Sequence, residues 1–169
     1  MDCCKVGPSD GCNGGEMWGA FECAKTTPMM LMSDYPYTSG EGVYGNCIQD
    51  AAKGKVTVSN WWKVASESKD QLKAAIAQGP VSVAIQADTI IFQYYASGIF
   101  GTDACGTHLD HGVTAVGYGK EEGGRGREYY IVRNSWGADW GEQGHIRIEI
   151  KEGKGVCGIQ TDSVWPETA

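Results

Sequence analysis

His111 and Asn134 are the residues whose types and spacing can do chemistry together. The histidine stands in Leu109-Asp110-His111-Gly112, and the asparagine follows 23 residues later in Arg133-Asn134-Ser135-Trp136-Gly137. A neutral imidazole takes the proton of a thiol, and a carboxamide oxygen that accepts the other ring N–H fixes the tautomer able to do so. The asparagine comes straight after the apolar run Tyr129-Tyr130-Ile131-Val132, which reads as a strand. It opens a tryptophan-rich turn, Ser135-Trp136-Gly137-Ala138-Asp139-Trp140-Gly141.

A metal site is the competing chemistry for this region. Cys105, His108, Asp110 and His111 lie close in sequence. Asp110 and His111 are adjacent, however, and adjacent residues on a strand point to opposite faces. No second cluster completes a tetrahedral ligand set. Neither a metal nor an organic cofactor is expected.

The elements that must position these residues follow from periodicity. Residues 1–15 are loop-like and end in Gly11-Cys12-Asn13-Gly14-Gly15. A helix is expected from Glu16 to about Lys25, with Met17, Ala20, Phe21 and Ala24 forming an apolar stripe, and Pro28 limits it. Residues 33–60 read as irregular. A second helix runs from about Ser68 to Gln78, capped by Ser66 or Ser68, with Leu72, Ala75 and Ile76 inward and Gly79-Pro80 as its stop. From residue 81 the period changes to two. Val81, Val83 and Ile85 alternate, Val113, Ala115 and Gly117 do so weakly, and residues 129–133 and 145–150 are further strands; Gly119–Gly126 reads as a Gly-rich, charged hairpin loop between strands. The chain thus divides into a helical, loop-rich part (1–80) and an antiparallel β part (81–169), an α+β arrangement.

Composition narrows the function classes. The 169 residues are 41% hydrophobic and 21% charged, as in a folded globular protein. A net charge of -7 leaves no basic stripe for nucleic acid. No apolar run approaches the ~20 residues of a membrane helix, so no membrane insertion is expected. Met1-Asp2-Cys3-Cys4 lacks the basic and apolar regions of a signal peptide, so the sequence reads as starting inside a folded protein, or after a lost targeting segment. Seven cysteines with no CxxC pair suit a disulfide framework in an oxidising compartment, and the odd count leaves at least one thiol unpaired or bonded to another chain.

From Asp2 to about Pro166 the sequence resembles the papain-like cysteine peptidases, the family of papain and the lysosomal cathepsins. The resemblance rests on Asp2-Cys3, Gly11–Gly15, Tyr35-Pro36-Tyr37, Gly79-Pro80-Val81-Ser82-Val83, Gly98-Ile99-Phe100, Asp110-His111, Val116-Gly117-Tyr118-Gly119, Asn134-Ser135-Trp136-Gly137, Trp140-Gly141-Glu142 and Gly155-Val156-Cys157-Gly158, in family order. It implies a two-lobe fold, one lobe mainly helical and the other an antiparallel β-barrel-like lobe. It makes His111 the general base and acid, Asn134 its orienter, and Trp136 the shield of their hydrogen bond. Gly14 and Gly15 match the strip that hydrogen-bonds substrate backbone. Met17, Ala84 and Asp162 match the pocket for the second residue before the scissile bond, with Asp162 at its floor, where an acid would admit arginine as well as apolar residues. Asp110 joins the substrate-binding set, and Trp140 forms the floor on the leaving-group side. The resemblance also implies disulfides Cys3–Cys47 and Cys105–Cys157.

One departure changes the expectation for activity. The family's nucleophilic cysteine lies in a motif about 130–150 residues before the histidine. Only 110 residues precede His111, and they contain no such motif. The central helix of the first lobe and the glutamine of the oxyanion hole belong to the same absent stretch. Cys3 and Cys12 match structural half-cystines, and Cys23 on the first helix reads as a core residue. Cys4 has no assigned partner. Cys12 would pair within the absent segment, and so could form an interchain disulfide if that segment is a separate chain. The sequence therefore reads as the C-terminal part of a cysteine endopeptidase, inactive alone, whose partners are the missing segment, peptide or protein substrates and protein inhibitors. The setting would be lysosomal, vacuolar or extracellular. The alternative is a truncated, non-catalytic homologue that binds peptides or proteins through the inherited cleft.

Overall fold

The computed structural model describes residues 2–123 and 126–168. The chain forms two compact units. The first runs up to Trp62 and takes in the C-terminal residues from Pro166; the second is Lys63–Trp165.

In the first unit a 3-10 turn at Gly11–Asn13 leads into helix α1 (Met17–Thr26). Gly19 and Ala24 are buried on it, while Ala20, expected to face inward, is exposed. The reason is close packing: a Cβ on Gly19 would sit 2.9 Å from the Val6 carbonyl oxygen, so α1 meets the N-terminal loop through its glycine. Ala20 instead lines a cavity of about 380 Å³ with Cys23, Ala24 and Thr27 of α1 and with Met29, Met30 and Met32. The 33–60 region is irregular apart from a 3-10 turn at Ala51–Lys53 and the start of strand β1 (Val58–Lys63). Trp61 fastens β1 to α1, its indole N–H donating to Glu22 at 2.7 Å and its ring lying 5.8 Å from that of Trp18.

Two disulfides tie this unit. One joins Cys3 and Cys47, with Cα atoms 4.8 Å apart, and the other joins Cys4 and Cys23, 5.8 Å apart. The second corrects the reading of Cys23 as a core thiol. Cys23 is only half-buried, and the Cys3-Cys4 doublet carries one bridge to each of two different segments.

The second unit is built on a sheet. Helix α2 (Lys69–Ile76) precedes β2 (Val81–Ile85), a short helix α3 (Ile90–Gln93), β3 (Ile99–Phe100), β4 (His111–Lys120), β5 (Glu128–Arg133), β6 (His145–Glu149) and β7 (Ser163–Thr168). The strands run in the order β7-β2-β4-β5-β6-β3, and β3 pairs with β6 in parallel while the other pairs registered here are antiparallel. Alternation buries Val81, Val83 and Ile85 of β2, Val113 and Ala115 of β4, Tyr130 and Val132 of β5, and Ile146 and Ile148 of β6. Burying each such aliphatic side chain is worth about 1.5–3 kcal/mol. The weak alternation of β4 has a cause, a bulge between Ala115 and Gly117 that shifts its register against β5.

Ser68 caps α2, its hydroxyl accepting the Gln71 N–H at 3.3 Å, and Leu72 and Ile76 join the same core as the strands. The limit between the units therefore lies at Trp62/Lys63, and the change of period at residue 81 marks the start of β2. In the 119–126 hairpin, Gly124 and Arg125 lie outside the described residues, and an Arg127–Glu121 ion pair at 3.1 Å closes its base.

Candidate active site

Register brings the histidine and the asparagine together. In the β4–β5 ladder Thr114 faces Arg133, so His111, opening β4, and Asn134, just past the end of β5, lie at the same end of the pair. The His111 Nε2 and the Asn134 Oδ1 are 2.8 Å apart. The same oxygen accepts the Ser135 N–H at 2.8 Å. An atom that faces a backbone donor is the carbonyl end of the carboxamide, so Nε2 carries the hydrogen and donates it. The Nδ1 lone pair is left to take a proton. Asn134 is buried, at 8% exposure, and its own N–H donates to the Gly144 carbonyl at 2.9 Å. Exchange with water is thereby limited on the side of the bond that fixes the tautomer.

Aromatic rings complete the surroundings. The Trp136 indole stacks on the imidazole with centroids 5.1 Å apart and planes at 29°. Its edge-to-face neighbours are Phe92 at 5.7 Å and Trp140 at 5.3 Å. Trp140 is fixed by an N–H donated to the Gln93 carbonyl at 2.9 Å and by packing on Phe92 and Tyr95. Sequence reasoning missed α3, which supplies the fully buried Phe92 under both tryptophans. The signal was faint: Asp88-Thr89 before the apolar run Ile90-Ile91-Phe92, in a helix of only four residues.

The turn from Ser135 to Gly144 is held by a carboxylate. Glu142 receives two N–H bonds from Arg147, at 2.9 and 2.6 Å, and one from the Gly98 backbone at 2.9 Å. The Arg147 guanidinium holds the Glu142 carboxyl below the usual range, against the opposing effect of burial and with the Gly98 N–H adding to it. Sequence reading had this residue within a motif but assigned it no role.

The remaining expected residues divide between the units. In the second, the Ala84 N–H donates to the Asp162 carbonyl at 2.9 Å, and the Asp162 carboxylate lies 3.6 Å from the Lys63 ammonium. The Asp110 carboxylate accepts the Ala87 N–H at 2.8 Å, which ties the loop before His111 to the end of β2. In the first, Gly14 has φ +105 with open space where a Cβ would sit, and its carbonyl accepts the Asp10 N–H at 2.9 Å. Gly15 packs on Ser9, and Met17 begins α1. Cys12, in the 3-10 turn, is the free cysteine among the described residues and is half-buried. Cys105 is bonded to Cys157, so its sulfur is not available to the metal set weighed above. Among the described residues no cluster of His, Cys, Asp and Glu could hold a metal ion, and no helix is long and apolar enough to cross a membrane.

Comparison with known proteins places the chain in a family. The family described as papain family cysteine protease matches residues 1–167. The chain is 47% identical over 169 residues to the KDEL-tailed cysteine endopeptidase CEP2 of Arabidopsis thaliana, covering 96% of this chain and 44% of that protein. It is 45% identical to the cysteine proteinase RD21A of the same plant, covering 96% of this chain and 35% of that protein. It superposes on the bromelain protease of Ananas comosus, solved in complex with the E64 inhibitor, with a TM-score of 0.87 and 36% identity, covering 98% of this chain and 74% of that one. The chain therefore spans less than half the length of these two plant relatives. The α+β fold is that of the papain-like proteases.

Proposed function

Since this chain belongs to the papain family of cysteine proteases, we propose that it carries the general base and its orienter for a cysteine endopeptidase whose nucleophilic thiol lies outside these 169 residues. The observation that carries the reading is the His111 Nε2–H bond to Asn134 Oδ1 at 2.8 Å, which leaves Nδ1 to face a thiol. The thiol gives its proton to Nδ1, forming a thiolate–imidazolium pair. The thiolate attacks the peptide carbonyl, and His111 returns the proton to the leaving amine. Water then hydrolyses the acyl-enzyme, with His111 again as base. Trp136 covers the His111–Asn134 bond, and a hydrogen bond kept from water is stronger.

The substrate is a peptide or protein held in extended form. Gly14 and Gly15 supply backbone partners by strand addition, and the bare Cα of Gly14 leaves room for the approach. Ala84 and Asp162, joined through the Ala84 N–H and the Asp162 carbonyl, contact the second residue before the scissile bond. Trp140 forms the floor on the leaving-group side, and Asp110 belongs to the substrate-binding set. The Lys63 ammonium beside Asp162 lowers the attraction of that carboxylate for arginine. Cys12 links to the thiol-bearing segment. Three disulfides fit an oxidising compartment, lysosomal, vacuolar or extracellular. Protein inhibitors are a second class of partner.

Labelling of the natively purified protein with an epoxysuccinyl electrophile, followed by peptide mapping and an intact mass with and without reductant, tests the reading. Label on a single thiol outside residues 1–169, with loss of peptidase activity, is the expected result. Uptake confined to Cys12, or no uptake and no hydrolysis, overturns it and leaves the non-catalytic peptide- or protein-binding module.

A further inference from the structure

We propose that Glu142 is a positioning residue for the catalytic base: its carboxylate anchors the Ser135–Gly144 turn so that the Trp136 indole stays stacked over His111. That His111 is a base rests on the reading above. The anchoring is a property of the fold and is tested without turnover.

The turn needs an anchor. Its ten residues leave β5 and return to β6, and Gly137, Gly141 and Gly144 all take positive φ, at 91, 57 and 81. Glycine-rich backbone of this kind has many alternatives when nothing holds it. Its base is closed by Asn134 N–H to Gly144 and by the paired Glu142 and His145 main chains. Those bonds are local and fix the neck of the turn, not the direction in which its tip points.

Beyond its aromatic packing on Phe92 and Tyr95, two side-chain polar attachments tie the turn to the rest of the unit among the described residues. One is the Trp140 indole N–H on Gln93, a neutral bond. The other is the Glu142 carboxylate, which takes three donors, two from Arg147 and one from Gly98. These donors are themselves rigid. Arg147 sits in β6, paired in parallel with Ile99 of β3, and the Gly98 carbonyl accepts the Tyr95 hydroxyl at 2.7 Å. A charged, bidentate bond aimed at a sheet edge carries more directional constraint than a neutral one. Trp140 and Trp136 ride on the turn so fixed, and Gly141 is held against the Tyr95 ring, where a Cβ would approach to 3.0 Å.

Glu142→Gln keeps the size and one acceptor for Gly98 but removes the charge that Arg147 grips. Arg147→Met keeps the length of the partner and removes its donors. The readout is proton NMR of the 169-residue chain, following the His111 ring protons, which the stacked Trp136 indole shifts upfield. Fold is followed by the dispersed methyl signals of Val113 and Val132. With the sheet intact, each variant is expected to lose at least half of that upfield shift, and the Gly98 amide is expected to exchange at least tenfold faster. An unchanged His111 ring shift in either folded variant overturns the proposal. If Glu142→Gln does not fold, Arg147→Met is read by the same criterion. Unfolding of both variants assigns the pair to the stability of the fold and also overturns the positioning role. None of these outcomes depends on whether a thiol is later found, so the peptidase reading and this one fail separately.

Discussion

Replacing Cys4 and Cys23 together by alanine removes the crosslink that encloses Gly14 and Gly15. The two cysteines are 19 residues apart in sequence, so the bridge closes a loop of about 20 residues. The chain-entropy relation gives a loss of about 11 cal/mol/K for the unfolded chain on closing such a loop, or ~3 kcal/mol at 25 °C. The same relation gives about 4 kcal/mol for Cys105–Cys157, whose separation is 52. The Cys4–Cys23 loop lies inside the Cys3–Cys47 loop, so its unfolded state is already partly confined and ~3 kcal/mol is the upper figure for the double variant. The folded consequence is local. Residues 6–9 pack on α1 and the strip before it, with Val6 and Ser9 against Gly19 and Ser9 against Gly15, and the Cys4–Cys23 bridge ties one end of that contact. Two measurements check it. Urea unfolding followed by tryptophan fluorescence should show a loss of 2–3 kcal/mol, about the loop-closure figure. Amide exchange at Gly14, Gly15 and Gly19 should accelerate roughly a hundredfold, while Val113 and Val132 in the sheet change little. A loss below about 1 kcal/mol, or equal acceleration in the strip and in the sheet, would refute the loop-closure reasoning.

Three other expectations follow from the site. In a longer protein that carries the proposed thiol, Asn134→Ala strips the acceptor from the imidazole Nε2–H and is expected to lower kcat on the order of 10²-fold with KM changed less than about twofold, measured by peptide hydrolysis. Glu142 is depressed below its ordinary value of 4.5, chiefly by Arg147, so its stabilisation is full above 4.5 and is lost as pH falls through the lower folded value. The difference in Tm between the wild type and Glu142→Gln should hold constant from neutral pH down to about 5 and narrow below 4.5; a difference undiminished at pH 3 argues that the charge is not what Glu142 contributes. Lys63→Ala removes the cation beside Asp162, and the ratio of hydrolysis rates for substrates with arginine over leucine two residues before the scissile bond should rise by roughly three- to tenfold. No rise would mean that Asp162 does not face the bound side chain.

Much of this was legible because the signals are local. The strands from Val81, Tyr129 and His145 show in their alternation, since a sheet with one face in the core forces period two on its residues. Helix α2 shows by its Ser68 cap and its Gly79-Pro80 stop. Helix α3, β1, β3 and β7 were not read. Each is short, or carries a mixed burial pattern such as that of Val58–Lys63, whose burial is set by partners distant in sequence. Ala20 was misplaced because a stripe counted on side chains does not register that Gly19, with none, makes the closest contact.

The sequence by itself determined the chemistry available. It set an imidazole and a carboxamide at the ends of two strand-forming runs, an odd number of cysteines, an acidic surface and no thiol in a nucleophile setting. Tertiary structure decided which groups meet. The β4–β5 register put Asn134 on the Nε2 of His111, the Ser135 N–H settled which end of the amide faces the ring, and Cys4 found Cys23. Glu142 met its three donors only because β3 and α3 bring Gly98 and the Tyr95 ring beside β6. Residue types and local periods are properties of the chain as written. Pairings between residues tens of positions apart depend on how the whole core packs, and periodicity does not encode them.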